Sequence, residues 1–453
     1  MTQLDQRYAT RTVPRYTSYP TAPHFHAGID AAVYGGWLDG IDAATPLSLY
    51  LHVPYCRTIC TYCGCHTKGA RKDEPVIAYA ETLLREIDLV ADRLAGSSGL
   101  RRPVVHIHWG GGTPSLLPRD NLLALAERLR TRFDFTPEIE HAIELDPRTV
   151  TPELADTLAT IGITRASLGV QDFDPVVQKA IGRIQPFEQV ERSVALLRGV
   201  GITALNFDLM YGLPHQSLAT IDETVRLTRE LAPGRIALFG YAHVPWFKKH
   251  QRLIKEADLP GVEERIALAD SARAALREAG YTAIGLDHFA LPDDSMAIAL
   301  AAGTLRRNFQ GYTTDTADTL IGLGCSSIGR LPQGYCQNQP DIGGWRRSIE
   351  AGELPVAKGI ALDDDDRARA DIIERLMTDH EADVLAIAKR FGFPPSHFDT
   401  SIDGLAEMIA DGLATYDGGV VRITETGQRY ARVAAAAFDA YLAAGAARHS
   451  IAV

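Results

Sequence analysis

The sequence predicts an α/β fold: a parallel, barrel-like sheet of βα units followed by a smaller, mostly helical, winged-helix-like module. Three observations carry this. Short β-branched apolar runs alternate with longer amphipathic stretches through the first half of the chain. Six such units fall within about 200 residues, which suits a barrel-like sheet better than a small open one. Beyond residue 360 the alternation gives way to helical patterns and a single hairpin.

Taken in order, the expected strands are "LSLYLHV" (47–53), "PVVHIHW" (103–109), "HAIELD" (141–146), "RASLGVQ" (165–171), "ALNFDLMYG" (204–212) and "RIALFGYAHV" (235–244). Helical segments between them include 76–95, 121–133 and 220–231, long enough for the crossovers that parallel strands require. After "KGIALDDDD", residues 367–377 and 382–392 read as helices. "GLATYDGGVVRITETG" then reads as two strands around an Asp-Gly-Gly turn, and the alanine-rich end 432–450 as a packed helix. The expected organisation is an N-terminal arm (1–45), a barrel (46–290), a covering and linking segment (291–360) and a C-terminal helical, winged-helix-like domain (361–453).

Composition narrows the class. The 453 residues are 46% hydrophobic and 23% charged, with a net charge of −11: a soluble, globular profile in a chain too long for one compact core. The acidic balance argues against bulk binding to nucleic acid or an anionic membrane, so an anionic ligand needs a local basic patch. Residues 361–453 carry 16 Asp and Glu against 9 Lys and Arg, so a lid or packing role is expected of the wing rather than DNA binding. The start of the chain lacks an apolar run behind a basic cluster, and no stretch reaches the roughly 18 apolar residues of a membrane helix. A cytoplasmic monomer is expected, with no membrane or nucleic-acid partner.

The chemistry is concentrated in "YLHVPYCRTICTYCGCHTKG", which holds four of the six cysteines within ten positions. The spacing is Cys56-x3-Cys60-x2-Cys63, followed by Gly64 and Cys65. A 4Fe–4S cluster normally takes four thiolates. Three on one loop leave one iron open to an exogenous chelate, read here as the amino and carboxylate groups of S-adenosylmethionine. One electron delivered to the sulfonium then breaks a C–S bond, giving methionine and a 5′-deoxyadenosyl radical. The competing reading is a structural zinc site using Cys60, Cys63, Cys65 and His66 in an interaction protein without catalysis. Zinc sites usually pair two separated clusters, and no second CxxC or HxxxH follows here.

The ends of the expected strands agree with the cluster reading, since barrel enzymes place their chemistry there. The cysteine loop follows the first strand. "WGGGTPS" follows the second, where Gly111 and Gly112 let backbone approach a ligand closely. Glu144 closes the third, where a carboxylate can take both hydroxyls of a ribose. Gln171 closes the fourth, Asp208 lies in the fifth, and "YAHVP" ends the sixth. His106, His108, His243 and His288, in or beside strands, read as buried, hydrogen-bonded imidazoles.

With these residues in view the chain resembles the radical SAM superfamily, and within it the oxygen-independent coproporphyrinogen III oxidases. The resemblance runs nearly end to end. Its most specific pieces are "PRYTSYPTA", "CRTICTYCGC", "HWGGGTP", "ELDPR", "SLGVQDF", "NFDLMYGLP", "YAHVP", "GLDHFA" and "RRNFQGYTT". A haem chaperone or haem-modifying relative within the superfamily is the nearest alternative, and the "RYTSYP" arm and Cys65 argue against it.

The resemblance implies a (βα)6 partial TIM-like barrel, an arm closing over its cavity and a helical C-terminal domain. It implies that Cys56, Cys60 and Cys63 ligate the cluster while Cys65 sits beside it as a candidate catalytic residue. Two S-adenosylmethionine molecules are implied, the first near Tyr50, Gly111, Glu144 and Ile328. The second is implied near Tyr62, Gly112, Thr113, Gln171, Arg183, Asp208 and Ala242. The implied reaction converts two propionates of coproporphyrinogen III to vinyl groups, with an electron-donor protein such as a flavodoxin or ferredoxin. Four propionates call for cations, for which Arg15, in an arm with Tyr16 and Tyr19, and the pair Arg306 and Arg307 are the candidates.

Overall fold

In the computed structural model, residues 7–96 and 99–442 are described. Six parallel strands form the centre of one twelve-stranded sheet: β1 (Leu47–Val53), β2 (Arg102–Gly111), β3 (Phe133–Leu145), β4 (Arg165–Gln171), β5 (Ala204–Tyr211) and β6 (Arg235–Gly240). Alternation sets the two faces of each strand. Leu47, Leu49, Leu51 and Val53 of β1 join the main core with Val76, Tyr79, Leu83 and Ile87 of helix Glu74–Ala95. Truncating one such leucine to alanine costs about 2–5 kcal/mol. The intervening Ser48, Tyr50 and His52 lie on the other face.

That inner face is layered. Toward the start of the strands, Glu140 of β3 takes Arg165 of β4 at 3.1 Å, and Arg235 of β6 takes Asp294 at 2.6 Å. Burial alone would raise the Glu140 carboxyl, but His106, Arg165 and Arg235 hold it well below the usual range. This ionic layer floors the barrel. Glu144, Gln171 and Asp208 lie nearer the other end of the strands, around a cavity.

The sheet stays open. Beside β6 lie the antiparallel strands His288–Ala290 and Thr282–Ile284. Beside β1 lies Thr319–Leu323, parallel to it, and then the antiparallel strands Ile328–Leu331, Gly334–Asn338 and Val356–Ala361. Residues 291–360, expected to cover and link, thus also extend the sheet by four strands. The arm caps the far edge, where His26 N donates to Gly359 O at 2.8 Å and Gly359 N to His26 O at 3.0 Å. Covering an edge in this way removes a template for pairing between chains.

The C-terminal part packs helices Asp364–Thr378 and Val384–Arg390 against a three-stranded sheet. Its hairpin, Ala414–Asp417 with Val420–Ile423, turns at Gly418 and Gly419 with φ of 58° and 89°, the positive values a tight two-residue turn needs. Tyr8, Val13, Tyr16 and Tyr19 of the arm are buried in the same core. The alanine-rich end is helical over Ala431–Ala436, and its last part, from 443, lies outside the described residues. Among the described residues no helix is long and apolar enough to cross a membrane.

Candidate active site

The loop after β1 is held in place from three sides. Tyr55–Cys56 pairs with Lys68–Gly69, and Thr61 N donates to Ile181 O at 3.0 Å. From beyond β6, His250 Nε2 donates to Cys63 O at 2.7 Å, Lys248 Nζ to Cys65 O at 2.9 Å and Gln251 Nε2 to Tyr62 O at 2.8 Å. The loop is fastened through its backbone, which leaves its thiols turned to a cavity of about 700 Å³ lined by Cys56, Cys60, Cys63 and Cys65.

Each expected cluster thiol has donors near it. Thr113 Oγ1 lies 3.4 Å and Thr67 Oγ1 3.3 Å from Cys56 Sγ. Cys60 Sγ faces Arg183 Nη1 at 3.5 Å and Arg148 Nη2 at 3.9 Å. Hydrogen bonding from Cys65 draws the Cys63 thiol below its ordinary value against burial, with His250 and Lys248 adding positive charge. At Cys63 this favours thiolate, the form that binds metal, whereas at Cys56 burial outweighs the two threonine hydrogen bonds and raises the thiol. Among the described residues no three His, Cys, Asp or Glu side chains gather closely enough for a single ion. Three thiols spread around one cavity suit an inorganic cube, whose irons occupy separate corners.

The glycine ridge after β2 forms the next wall. Gly111 has a φ of 114°, and a Cβ there would meet the His52 ring at 2.6 Å. At Gly112 a Cβ would stand 2.6 Å from Tyr55 O. Neither position has room for a side chain. Glu144 receives Gly111 N and His108 Nε2, both at 3.1 Å. Asp208 accepts from Ser167 Oγ at 3.1 Å and Asn206 Nδ2 at 2.9 Å. Burial and the Glu144 charge push its carboxyl up to about 6. Gln171 ends β4 with a φ of 68°, a conformation uncommon outside glycine that turns the chain sharply at the cavity wall.

The structure brings most of the sequence-derived residues to this one cavity. Tyr62, Gly111, Gly112, Thr113, Glu144, Gln171, Arg183, Asp208 and Ala242 line it with the four cysteines, as do Arg15 and Arg307. Five lie elsewhere. Tyr50 packs behind the wall, its hydroxyl 3.1 Å from His52 Nδ1. Ile328 belongs to an apolar cluster with Phe25, Tyr335 and Ile360. Tyr16 donates to Asp439 at 3.0 Å and Tyr19 accepts from Ala440 N at 3.0 Å. Arg306 pairs with Glu374 at 3.2 Å and Asp318 at 3.4 Å. The four histidines all have partners: His106 on Glu140, His108 on Glu144, His243 on Tyr241 and His288 on Asp287.

Sequence reasoning missed Arg148, Asp146 and the clamp at Lys248, His250 and Gln251. The motif "ELDPR" carried the first two in view, but nothing local revealed that Asp146 Oδ2 would hold Arg148 Nη2 at 2.6 Å beneath Cys60.

Residues 50–228 match the profile of the Radical SAM superfamily. The open α/β barrel and the thiol-lined cavity at its strand ends accordingly define a radical SAM enzyme, whose cofactors are a 4Fe–4S cluster and S-adenosylmethionine. The chain is 50% identical over 446 residues to the oxygen-independent coproporphyrinogen III oxidase of Bradyrhizobium diazoefficiens, covering 98% of each. It is 44% identical over 441 residues to that of Paracoccus denitrificans, covering 97% of this chain and 96% of the relative. Coproporphyrinogen III oxidase (HemN) from Escherichia coli, a radical SAM enzyme, superposes with a TM-score of 0.90 at 35% identity, over 95% of this chain and all of that one. The chain belongs to the oxygen-independent coproporphyrinogen III oxidase family, which sets aside the zinc-stabilised interaction protein.

Proposed function

We propose that this chain converts coproporphyrinogen III to protoporphyrinogen IX without oxygen in haem biosynthesis, turning two propionates into vinyl groups. One observation supports this above others: the cysteine triad, the glycine ridge, the acidic strand ends and two arginines open on a single cavity. Cys56, Cys60 and Cys63 would hold the cluster, with Cys65 beside it. When bound, the cluster would supply one electron to the sulfonium of S-adenosylmethionine; each propionate would become vinyl by losing a β-hydrogen atom to the cleaved cofactor, carbon dioxide, and one further electron to an external acceptor.

The chain's own residues bind, orient and exclude water. Glu144 presents an ionised carboxylate for ribose hydroxyls, and the backbone at Gly111 and Gly112 can approach the ammonium of the same ligand. Gln171, Arg183 and Asp208, with Tyr62, Thr113 and Ala242, offer polar groups and wall for a second S-adenosylmethionine. Positioning matters because a primary carbon radical reacts with whatever lies closest. Arg15 and Arg307 would meet substrate carboxylates. We assign Tyr16, Tyr19 and Arg306 to holding the arm and the hairpin Arg306–Thr313 in place. Tyr50 and Ile328 would act only through the walls they support.

The proposal extends to a cytoplasmic monomer that receives electrons from a flavodoxin- or ferredoxin-like donor and has no nucleic-acid or membrane partner. The division at 45, 290 and 360 is proposed with it, the C-terminal domain sharing a core with the arm. Anaerobic reconstitution with iron and sulfide, then turnover of coproporphyrinogen III, is the test. Protoporphyrin after oxidation of the products is the expected result; a reconstituted, SAM-cleaving enzyme that leaves the propionates intact would refute the reading.

A further inference from the structure

A second cavity, of about 400 Å³, adjoins the thiol-lined one and shares Arg15, Gly240, Tyr241, Ala242, Asp287 and Arg307 with it. Its walls carry six arginines from four separate parts of the chain. Arg15 comes from the arm and Arg307 from the hairpin, Arg265 and Arg273 from helix Val262–Glu278, and Arg429 and Arg432 from the C-terminal region. Its apolar lining includes Leu238, Ile266 and Phe289.

Among the described residues two carboxylates, Asp270 and Asp287, line the same space. Asp270 pairs with Arg429 Nη2 at 3.0 Å, and Asp287 is engaged by His288 Nδ1 at 2.7 Å. Three of the other guanidiniums also hold backbone carbonyls, and the Asp287 charge lies near Arg307 and Arg15. Arg265 Nη1 donates to Tyr241 O at 2.9 Å, Arg273 Nη2 to Leu286 O at 2.7 Å and Arg307 Nε to Tyr16 O at 3.2 Å. Buried nitrogens of two of them, Arg265 Nε and Arg307 Nη1, have no hydrogen-bond partner among the described residues. Burial, then the neighbouring Arg15, draws the Arg432 guanidinium down to about 10. A carboxylate entering among Arg15, Arg265, Arg273 and Arg307 would meet several charge-assisted donors at once.

We propose that this arginine-walled cavity is a carboxylate-anchoring subsite. It grips propionates that are not reacting while another propionate of the same macrocycle reaches the thiol-lined cavity. The apolar lining takes the ring edge, and the guanidinium forks take the acid groups. Because the second decarboxylation needs a different propionate at the reacting centre, the macrocycle must let go and turn between the two steps. The C-terminal domain, acidic as a whole, supplies two of the gripping cations.

This inference rests on the functional reading above, and one experiment separates their failures. Cluster-loaded enzyme is titrated by fluorescence with coproporphyrin III, a tetracarboxylic acid, and with mesoporphyrin IX, a dicarboxylic one. Wild type is expected to prefer the former by about tenfold or more, the scale of one charge-assisted bidentate pair. Arg265→Gln and Arg273→Gln are expected to lower that preference below about threefold, with cluster absorbance and SAM affinity unchanged; Arg226→Gln, on an exposed helix face, should keep it. Should a Gln variant fail to hold its cluster, Arg265→Lys and Arg273→Lys are measured instead, with an intermediate preference expected. Arginine variants that bind both porphyrins as wild type does would overturn the subsite alone. Wild-type enzyme that binds neither porphyrin would overturn the functional reading with it.

Discussion

His108 and Glu144 meet across neighbouring strands, with Nε2 3.1 Å from Oε1, while Gly111 N reaches the other carboxylate oxygen at 3.1 Å. Burial works against the charge on Glu144, but His108, Gly111 and the nearby His52 hold its carboxyl below the ordinary value. A charged acceptor is therefore kept ready in a cavity that would otherwise neutralise it.

Replacing Glu144 with Gln keeps the shape and removes the charge. S-adenosylmethionine affinity should fall by about tenfold or more, the scale of a lost hydrogen bond to a charged group, with iron content unchanged. Isothermal titration of the reconstituted protein checks this; unchanged affinity would remove Glu144 from the site.

Asp208 gives a pH signature. Its carboxyl is raised by burial and by Glu144 to about 6, so it gains a proton, and loses its charge, as pH falls through that value. Affinity for the cationic sulfonium ligand should decline below pH 6 in the wild type, and Asp208→Asn should flatten that limb. A limb that survives the substitution belongs to another group.

Glu86 makes a stability prediction away from the site. It accepts Gly324 N at 2.6 Å, Asn338 Nδ2 at 2.7 Å and Trp345 Nε1 at 3.0 Å, yet burial still lifts it from 4.5 to about 7. Between those values the native state holds a proton that the unfolded chain has released. Its contribution to stability therefore falls as pH rises through the window, by roughly 3 kcal/mol in all, and levels above pH 7. The stability gap between wild type and Glu86→Gln should narrow accordingly in denaturant melts from pH 5 to 8, and parallel curves would contradict it.

Deleting residues 1–25 should abolish turnover yet leave iron loading intact. Because Tyr8, Val13, Tyr16 and Tyr19 belong to the C-terminal core, the truncation should also lower the melting temperature and expose surface that binds a hydrophobic dye. A truncated protein with wild-type turnover would dismiss the arm.

Much of the barrel is legible because its short apolar strand runs alternate with longer amphipathic stretches. "RASLGVQ" predicts a strand over 165–171, and β4 spans Arg165–Gln171. The start of β3 was missed because "FDFTPEIE" is polar and contains Pro137, which hides a strand that runs from Phe133. The strands after residue 318 escaped notice because they are short and several are glycine-bearing. Thr319–Leu323 also joins the barrel by pairing with β1, more than 260 residues earlier in the chain. The site followed the same division. Groups at strand ends announced themselves by position, whereas Lys248 meets Cys65 across 183 residues of chain. Arg265 and Arg273 lie on helix Val262–Glu278, which carries no local motif pointing to the cavity.

Cys56, Cys60 and Cys63 are proposed to anchor an iron–sulfur cube whose remaining iron is left for S-adenosylmethionine. Mössbauer spectra of enzyme reconstituted with iron-57, before and after adding S-adenosylmethionine, test it directly, with Cys65→Ser alongside. One iron should change its environment on addition while the other three stay as they were, in wild type and Cys65→Ser alike. Four irons that remain equivalent, or a cluster lost with Cys65, would contradict it.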